Sequence, residues 1–164
     1  AAPLGTGNVK VAGNYAASLY AHEEAKKNGF PVELYLDAKE HRFIDEFSTS
    51  NFIGITKDGV YVTPKSPSIL PSVTNASLQE IAKDLGIRVE VRPVLFEEVE
   101  TFAEVAACGT AVVITPVNEI VRGDRTIRVG PAAGCGPVLE RLYRHITGIQ
   151  VGELPDRHGW CVAL

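Results

Sequence analysis

The feature that most constrains the fold is a cluster of short strand-like segments between residues 32 and 63. Segments rich in β-branched and aromatic residues, separated by polar breaks, lie at 32–36, 42–47, 51–55 and 60–63. Asp58-Gly59 favours a tight hairpin between the last two, because glycine accepts a positive φ. These strands are not alternated with helices, so the pattern predicts an α+β or mixed α/β fold. We expect an irregular mixed β-sheet or pseudo-barrel flanked by helices.

The rest of the chain supplies helices and further strands. Periodic apolar positions with glycine or proline at a boundary predict helices at 15–28, 74–85 and 137–147. Asn14 is the predicted N-cap of the first helix. Alternating or buried apolar runs predict strands at 87–94 and 111–117, a short acidic helix near 96–102, and a hairpin through Gly123-Asp124.

Composition excludes several classes of function. The formal net charge is −4 and there is no basic run, which argues against nucleic-acid binding. No apolar stretch is long enough to span a bilayer, so we expect no membrane association. The three cysteines have no C-x-x-C spacing and the four histidines are scattered, so we predict no metal site and a reducing cytoplasmic location.

Lys10 stands apart from the other six lysines, which all lie in polar stretches or beside turns. Val9, Val11 and Ala12 flank it, and no charged residue follows before His22 and Glu23. An ammonium group in a dry apolar setting is destabilised relative to the free amine, and the free amine is the nucleophile that attacks an aldehyde. The alternative is a lysine at a strand edge whose ammonium reaches water.

Two segments have the composition of anion-binding turns. Hydroxyl side chains and a proline open the second predicted helix at 68–75, where backbone amides and the helix dipole favour an anion. Residues 107–111 place a glycine and Thr110 at the mouth of a predicted buried strand. The alternatives are an ordinary helix cap and an ordinary tight turn. The glycine-rich run 134–137 lacks a P-loop lysine, and we interpret it as a plain helix start.

Asp45 and Glu46 are adjacent acids in a strand with aromatic neighbours. Strand alternation predicts that one points inward and the other outward. An inward carboxylate needs a cationic or proton-donating partner, either an arginine of this chain or a bound group.

Four runs together resemble the large domain of branched-chain amino-acid aminotransferases, which are fold-type IV enzymes that use pyridoxal 5′-phosphate. The runs are KVAGNY at 10–15, DEFSTSNF at 45–52, SILPSVTN at 68–75, and GTA at 109–111 with TPV at 115–117. The resemblance covers nearly the whole chain, from about Gly5 to Trp160. It implies transamination of leucine, isoleucine and valine with 2-oxoglutarate and glutamate as the other pair, in a cytoplasmic homodimer.

The resemblance also implies a role for each matching residue. Lys10 would bind the cofactor covalently and move the proton between the substrate and the cofactor, and Tyr15 would hydrogen-bond the cofactor's phenolic oxygen. Glu46 would pair with the protonated pyridine nitrogen, which keeps the ring an electron sink. The phosphate would be held by Val73, Thr74 and Thr110, and the amides of Thr110 and Ala111 would face the substrate carboxylate.

The resemblance has two departures and leaves alternatives open. Ser72 and Asn75 stand where many members have glycine and arginine. Family enzymes also carry an N-terminal small domain, so residues 1–9 are expected to be a loop or linker from that missing domain and 10–164 the cofactor-binding large domain. We therefore expect this chain alone to have little or no activity. The alternatives are a D-amino-acid aminotransferase or aminodeoxychorismate lyase of the same scaffold, or a non-catalytic binding module.

Overall fold

The structure, a computed structural model, describes Ala2 and residues 4–162. In chain order its elements are α1 (Ala12–Lys27), β1 (Leu34–Leu36), β2 (Ile44–Phe47), β3 (Asn51–Thr56), β4 (Tyr61–Pro64), α2 (Val73–Asp84), β5 (Val89–Arg92), a 3₁₀ helix (Phe96–Thr101), β6 (Phe102–Gly109), β7 (Val113–Pro116), β8 (Glu119–Arg122), β9 (Arg125–Arg128) and α3 (Pro137–Gln150).

The centre of the fold is a five-stranded mixed sheet with the order β5-β4-β3-β6-β7. The β4–β5 pair is parallel and follows the crossover through α2, whereas the other pairs are antiparallel. Two-stranded antiparallel ribbons, β1-β2 and β8-β9, lie outside this sheet. The mixed sheet with flanking helices confirms the predicted fold class, and the sheet is open rather than closed into a barrel.

Both faces of the central sheet are buried, so its strands carry apolar residues on both sides. On β3, Phe52 belongs to one core and Ile53 to the other. The second core packs α2 and α3 against the sheet through residues such as Leu78, Ile81 and Leu142. The first core lies under the two ribbons and the 3₁₀ helix.

Residues at the helix boundaries determine where the helices begin and end. Ser72 caps α2 by accepting a hydrogen bond from the Asn75 amide, and Gly86 follows with a φ of 75°. Pro137 occupies the first position of α3, where a missing N–H costs nothing. Within the described part of the chain, no helix has both the length and the apolar character needed to cross a membrane.

Two sequence predictions about the elements are wrong. Asn14 does not cap α1, which starts two residues earlier with Val11 at the N-cap position. The longest strand, β6, has no counterpart in the sequence prediction, because its Ala103, Ala106 and Ala107 carry little intrinsic β-propensity. Its burial between two strands and two cores makes it a strand, which is a tertiary effect.

Candidate active site

Two adjacent acids of β2 are withdrawn from solvent because the strand bulges there. The register between β1 and β2 shifts by one residue, so that Asp45 and Glu46 together stand opposite Tyr35. Asp45 is 2% exposed and Glu46 is partly buried. The expectation that one of the two acids points outward is therefore wrong, because the bulge interrupts the alternation on which it depends.

Glu46 is fixed in place by two hydrogen bonds. Its Oε2 accepts one from the Asn51 side-chain amide at 3.0 Å, and its Oε1 accepts one from the Leu70 backbone amide at 3.4 Å. Burial raises the pKa of Glu46 to about 7, and the hydrogen bond from the Leu70 amide opposes this effect. Within the described residues Glu46 joins no ion pair. This carboxylate is oriented but pairs with no cation of the described residues.

Asn51 connects Glu46 to the two predicted anion-binding turns. Its side-chain amide also donates to the Leu70 carbonyl, at 3.1 Å, in the loop before α2. Asn51 opens β3 and pairs with Cys108 near the end of β6. Because β3 is antiparallel to both β4 and β6, its start lies beside the ends of both neighbours. Glu46, the loop entering α2 and the turn after β6 therefore meet at one edge of the sheet.

The N-terminus of α2 offers two backbone donors. The amides of Val73 and Thr74 have no hydrogen-bond partner among the residues described, whereas the Asn75 amide is taken by Ser72. Unpaired amides and the positive end of the helix dipole favour an anion at this position. The Val73 side chain is 83% exposed, so the turn lies at the surface of this chain.

The side chain of Asn75 anchors this helix end to the sheet. It accepts a hydrogen bond from the Tyr61 hydroxyl at 2.7 Å and donates one to Thr63 Oγ1 at 2.9 Å, and the Thr63 hydroxyl in turn donates to the Phe52 carbonyl. Each buried polar group of this network has a partner. The two departures from the family pattern, Ser72 and Asn75, thus use their side chains to hold the turn.

The second turn, between β6 and β7, exposes Thr110 and Ala111. Their amides also have no backbone partner in the described chain. The turn closes on a hydrogen bond of 2.7 Å from the Ile114 amide to the Val112 carbonyl, with Val113 at a φ of 60°. This is a strained γ-turn for a β-branched residue, and such strain occurs at functional loops.

The side chains of Lys10 and Tyr15 are exposed to solvent in this chain. Lys10 is exposed, Val9 beside it is 48% exposed, and Tyr15 is 47% exposed. The expectation that Lys10 lies in a close-packed apolar setting is wrong, because α1 contributes no buried residue that would cover it. Within the described residues no hydrogen bond or ion pair joins Lys10 or Tyr15 to Glu46 or to either turn.

Asn14 holds the backbone on which Lys10 lies. Its side-chain amide donates to the carbonyls of Thr6 and Val9, at 2.7 and 2.8 Å. These bonds fold the N-terminal loop back onto the first turn of α1. The segment around Lys10 therefore has a defined backbone even though the lysine side chain is exposed.

The helix start at 134–137 is already occupied by an acid of this chain. Glu104, on β6 and 4% exposed, accepts hydrogen bonds from the amides of Val138 and Leu139 at 3.0 and 2.9 Å. A Cβ on Gly136 would overlap the Glu104 carboxylate. This confirms the interpretation of 134–137 as a plain helix start, and Glu104 is the anchoring residue that the sequence pattern did not reveal.

The described cysteines and histidines do not form a nucleophilic or metal-binding site at this edge of the sheet. Cys108 is buried, and burial raises the pKa of its thiol to about 12. His22 and His158 each contact one carboxylate, Glu33 and Asp84 respectively, at 2.9 and 2.8 Å. In the described ranges no group of three or more His, Cys, Asp or Glu side chains could hold a metal ion.

A separate groove of about 610 Å³ lies between α2, α3 and the C-terminal segment that carries Trp160. Of the predicted site residues only Val73 lines it. Glu46, Asn51 and Thr110 do not line it, so the geometry of the sheet edge is the better guide to the site.

The chain is similar to known aminotransferases over nearly its whole length. The family model described as amino-transferase class IV matches residues 5–120. The branched-chain-amino-acid aminotransferase of Haemophilus influenzae is 48% identical over 99% of this chain and 49% of its own length. That of Helicobacter pylori is 45% identical over 98% of this chain and 46% of its own. The chain thus spans about half the length of the curated relatives it matches.

Solved structures give the same result. The branched-chain amino acid aminotransferase from Escherichia coli aligns with a TM-score of 0.84 at 36% identity, covering 98% of this chain and 52% of that one. The enzyme of the same name from Thermobaculum terrenum, solved in its PLP-form, aligns with a TM-score of 0.77 at 26% identity, covering 92% and 47%. The sheet edge described above therefore occurs in a scaffold that, in that relative, was solved as a holo-form.

Proposed function

The chain belongs to the amino-transferase class IV family, and we propose that it is the cofactor-carrying part of a branched-chain amino-acid aminotransferase that uses pyridoxal 5′-phosphate. Its amino donors would be leucine, isoleucine and valine, with glutamate and 2-oxoglutarate as the other pair. The single observation that supports this most strongly is the oriented Glu46 carboxylate, which has no ion-pair partner among the described residues, at the same edge as two turns whose amides have no partner there either.

The residues present fit this cofactor because its two charged ends need opposite environments. A protonated pyridine nitrogen needs a fixed carboxylate, and Glu46 is held by Asn51 and has no other cation among the described residues. A phosphate needs several donors, and the amides of Val73 and Thr74 at the helix N-terminus supply them, with Thr110 on the neighbouring turn. When bound, the cofactor supplies an electron sink for the negative charge that develops on the substrate Cα.

The chain's own residues would divide the remaining work. Lys10 would bind the cofactor through its amine and later carry the proton that leaves the substrate Cα. Tyr15, in the first turn of α1, would hydrogen-bond the cofactor's phenolic oxygen. The amides of Thr110 and Ala111 would bind the substrate carboxylate, as unpaired backbone donors in a turn can.

The exposure of Lys10 in this chain agrees with a site that the chain does not enclose by itself. The relatives are about twice as long, and the water exclusion that the amine needs would come from bound ligand and from protein that this chain does not span. We therefore propose that residues 10–164 form the cofactor-binding domain and that this chain alone turns substrate over weakly or not at all.

The proposal includes a cytoplasmic homodimer. The exposed apolar side chains of α1, Tyr15, Leu19 and Tyr20, are 47%, 62% and 79% exposed, which is compatible with a protein surface covering them. No observation in the described residues favours the D-amino-acid aminotransferase, the aminodeoxychorismate lyase or the non-catalytic module.

Titration of the purified chain with pyridoxal 5′-phosphate tests the proposal. We expect an absorbance band near the visible edge in the wild type, unchanged in Lys39→Ala and lost in Lys10→Ala. Lys39 is an exposed lysine outside the site and controls for non-specific reaction with surface amines. A band that persists in Lys10→Ala, or no band in any variant, would contradict the proposal.

A further inference from the structure

Asp45 is a buried acid for which the proposed mechanism has no use. It is 2% exposed, and neither of its oxygens accepts a hydrogen bond within the described residues. Glu104 is nearly as buried, but each of its oxygens accepts a backbone amide. The fold thus supplies two backbone donors to the buried Glu104 carboxyl group, whereas the described residues supply none to Asp45.

Among the described residues, no cationic side chain forms an ion pair with Asp45. Glu46 is its neighbour on β2, and the titratable groups of the paired strand and its end are Tyr35 and Asp37. All of these are acidic. The hydroxyl group of Ser66, in the loop after β4, also influences the pKa of Asp45. Burial raises the pKa of Asp45, the Ser66 hydroxyl lowers it and the charge of Asp37 raises it further.

An ionised carboxylate in this position would be very unfavourable. Moving an isolated anion into a low-dielectric interior without a partner costs so much that the group takes up a proton instead. A second anion at Glu46, one residue away across the bulge, would add like-charge repulsion. Of the two acids, Glu46 accepts two hydrogen bonds that favour an anion, whereas Asp45 accepts none within the described residues.

We propose that Asp45 stays protonated in the folded protein, so that the bulge carries one negative charge and that charge is on Glu46. Asp45 is then a positioning residue that acts through Glu46. If Asp45 were ionised, it would disfavour the Glu46 anion and weaken its pairing with a cationic ring nitrogen. This consequence for the cofactor rests on the proposed function, whereas the protonation of Asp45 does not.

The protonation can be measured on the chain without cofactor, by infrared spectroscopy at about pH 8, where ordinary carboxyl groups are fully ionised. We expect the carbonyl stretch of a protonated carboxylic acid in the wild type. The band should disappear in Asp45→Asn and remain in Glu46→Gln. It should also remain in Asp124→Asn, which alters an exposed acid in the β8–β9 turn. Absence of the band in the wild type, or its presence in Asp45→Asn, would overturn the proposal.

A second measurement covers the case in which Asp45→Asn folds poorly. The wild-type band must then still persist in Glu46→Gln, and its loss there would assign the proton to Glu46 and overturn the proposal. Where Asp45→Asn folds, its midpoint of thermal unfolding should exceed the wild type's at about pH 8 and lose that advantage at about pH 3, where the unfolded Asp45 is mostly protonated too. An advantage that is absent at the higher pH would contradict the inference.

The cofactor then separates this inference from the proposed function. Replacing a neutral acid by a neutral amide should leave the pH profile of the cofactor's absorbance in Asp45→Asn within a few tenths of a pH unit of the wild type's. A profile shifted by about one unit or more would show that Asp45 carries a charge that Glu46 feels. Failure of the wild type to bind pyridoxal 5′-phosphate would instead contradict the proposed function and leave the infrared result standing.

Discussion

Asn51 and Glu46 are joined by a hydrogen bond of 3.0 Å from the side-chain amide of Asn51 to Oε2 of Glu46. The same amide group also donates to the Leu70 carbonyl, so one side chain fixes both the acid and the loop that enters α2. Asn51 itself is 4% exposed and lies at the start of a central strand. The carboxylate is therefore positioned by the core of the fold rather than by a surface loop.

Removing the Asn51 side chain should cost both stability and ligand affinity. Asn51→Ala leaves Glu46 Oε2 and the Leu70 carbonyl without a donor, and we expect the free energy of unfolding to fall by about 1–3 kcal/mol. Binding of pyridoxal 5′-phosphate should weaken as well. Asn28→Ala, which removes a hydrogen bond to the Glu24 carbonyl at an exposed helix end, is the matched control and should change the affinity little. Equal effects of the two substitutions in chemical denaturation and cofactor titration would contradict this role.

The raised pKa of Glu46 makes stability depend on pH in a definite direction. With its pKa at about 7 in the folded chain and near 4.5 unfolded, the folded state binds more protons between these values. The contribution of Glu46 to stability is thus present below about pH 4.5 and is lost as the pH rises through 7, by up to about 3 kcal/mol. Glu46→Gln should flatten this slope in denaturation curves recorded across that range. An unchanged slope would show that Glu46 is not the group responsible.

Gly136 should tolerate no side chain. A Cβ there would overlap the Glu104 carboxylate that caps α3, so Gly136→Ala must displace the acid or the helix, and we expect a loss of about 2–4 kcal/mol. Gly13→Ala is the control, because a Cβ at this position of α1 meets nothing within 4 Å. It should be neutral or slightly stabilising. A small effect of Gly136→Ala on the melting temperature would contradict the packing described here.

The three thiols should react with a thiol reagent in the order of their exposure. Cys161 is exposed and should react first, whereas Cys108 is buried with its pKa raised to about 12 and should react only after unfolding. Cys135 is intermediate in exposure, and burial and the neighbouring Glu104 raise its pKa. Mass spectrometry of peptides after timed labelling gives the order. Early labelling of Cys108 in the folded chain would contradict the burial of β6.

The sequence identified the acids and the turns that lie at this sheet edge, but it predicted the burial and the strand pairing of individual residues less well. The hairpin at Asp58-Gly59 and the helix predicted at 74–85 follow from local patterns, and both are confirmed. The bulge at Asp45 and Glu46 depends on pairing with β1, which a period of two residues cannot reveal. β6 is a strand because of where it is buried.

The dryness of Lys10 was predicted from its apolar neighbours in sequence, but desolvation is a property of what packs over a residue. In the described part of the chain no residue of α1 is fully buried, and Lys10 is exposed. In the sequence, Asn51 is a weak indication of a polar contact. It stands at the start of an apolar strand, where Asn is disfavoured unless its side chain forms hydrogen bonds. Such a residue identifies a polar contact but not its partner.

The most direct test of the central claim is to find which amine binds the cofactor. The chain is incubated with pyridoxal 5′-phosphate, reduced with borohydride, digested and analysed by mass spectrometry. We predict that the pyridoxyl group is found on Lys10 and that Glu46→Gln and Asn51→Ala reduce the yield at this residue. Modification spread over Lys26, Lys39 and the other surface lysines, with none enriched at Lys10, would contradict the account.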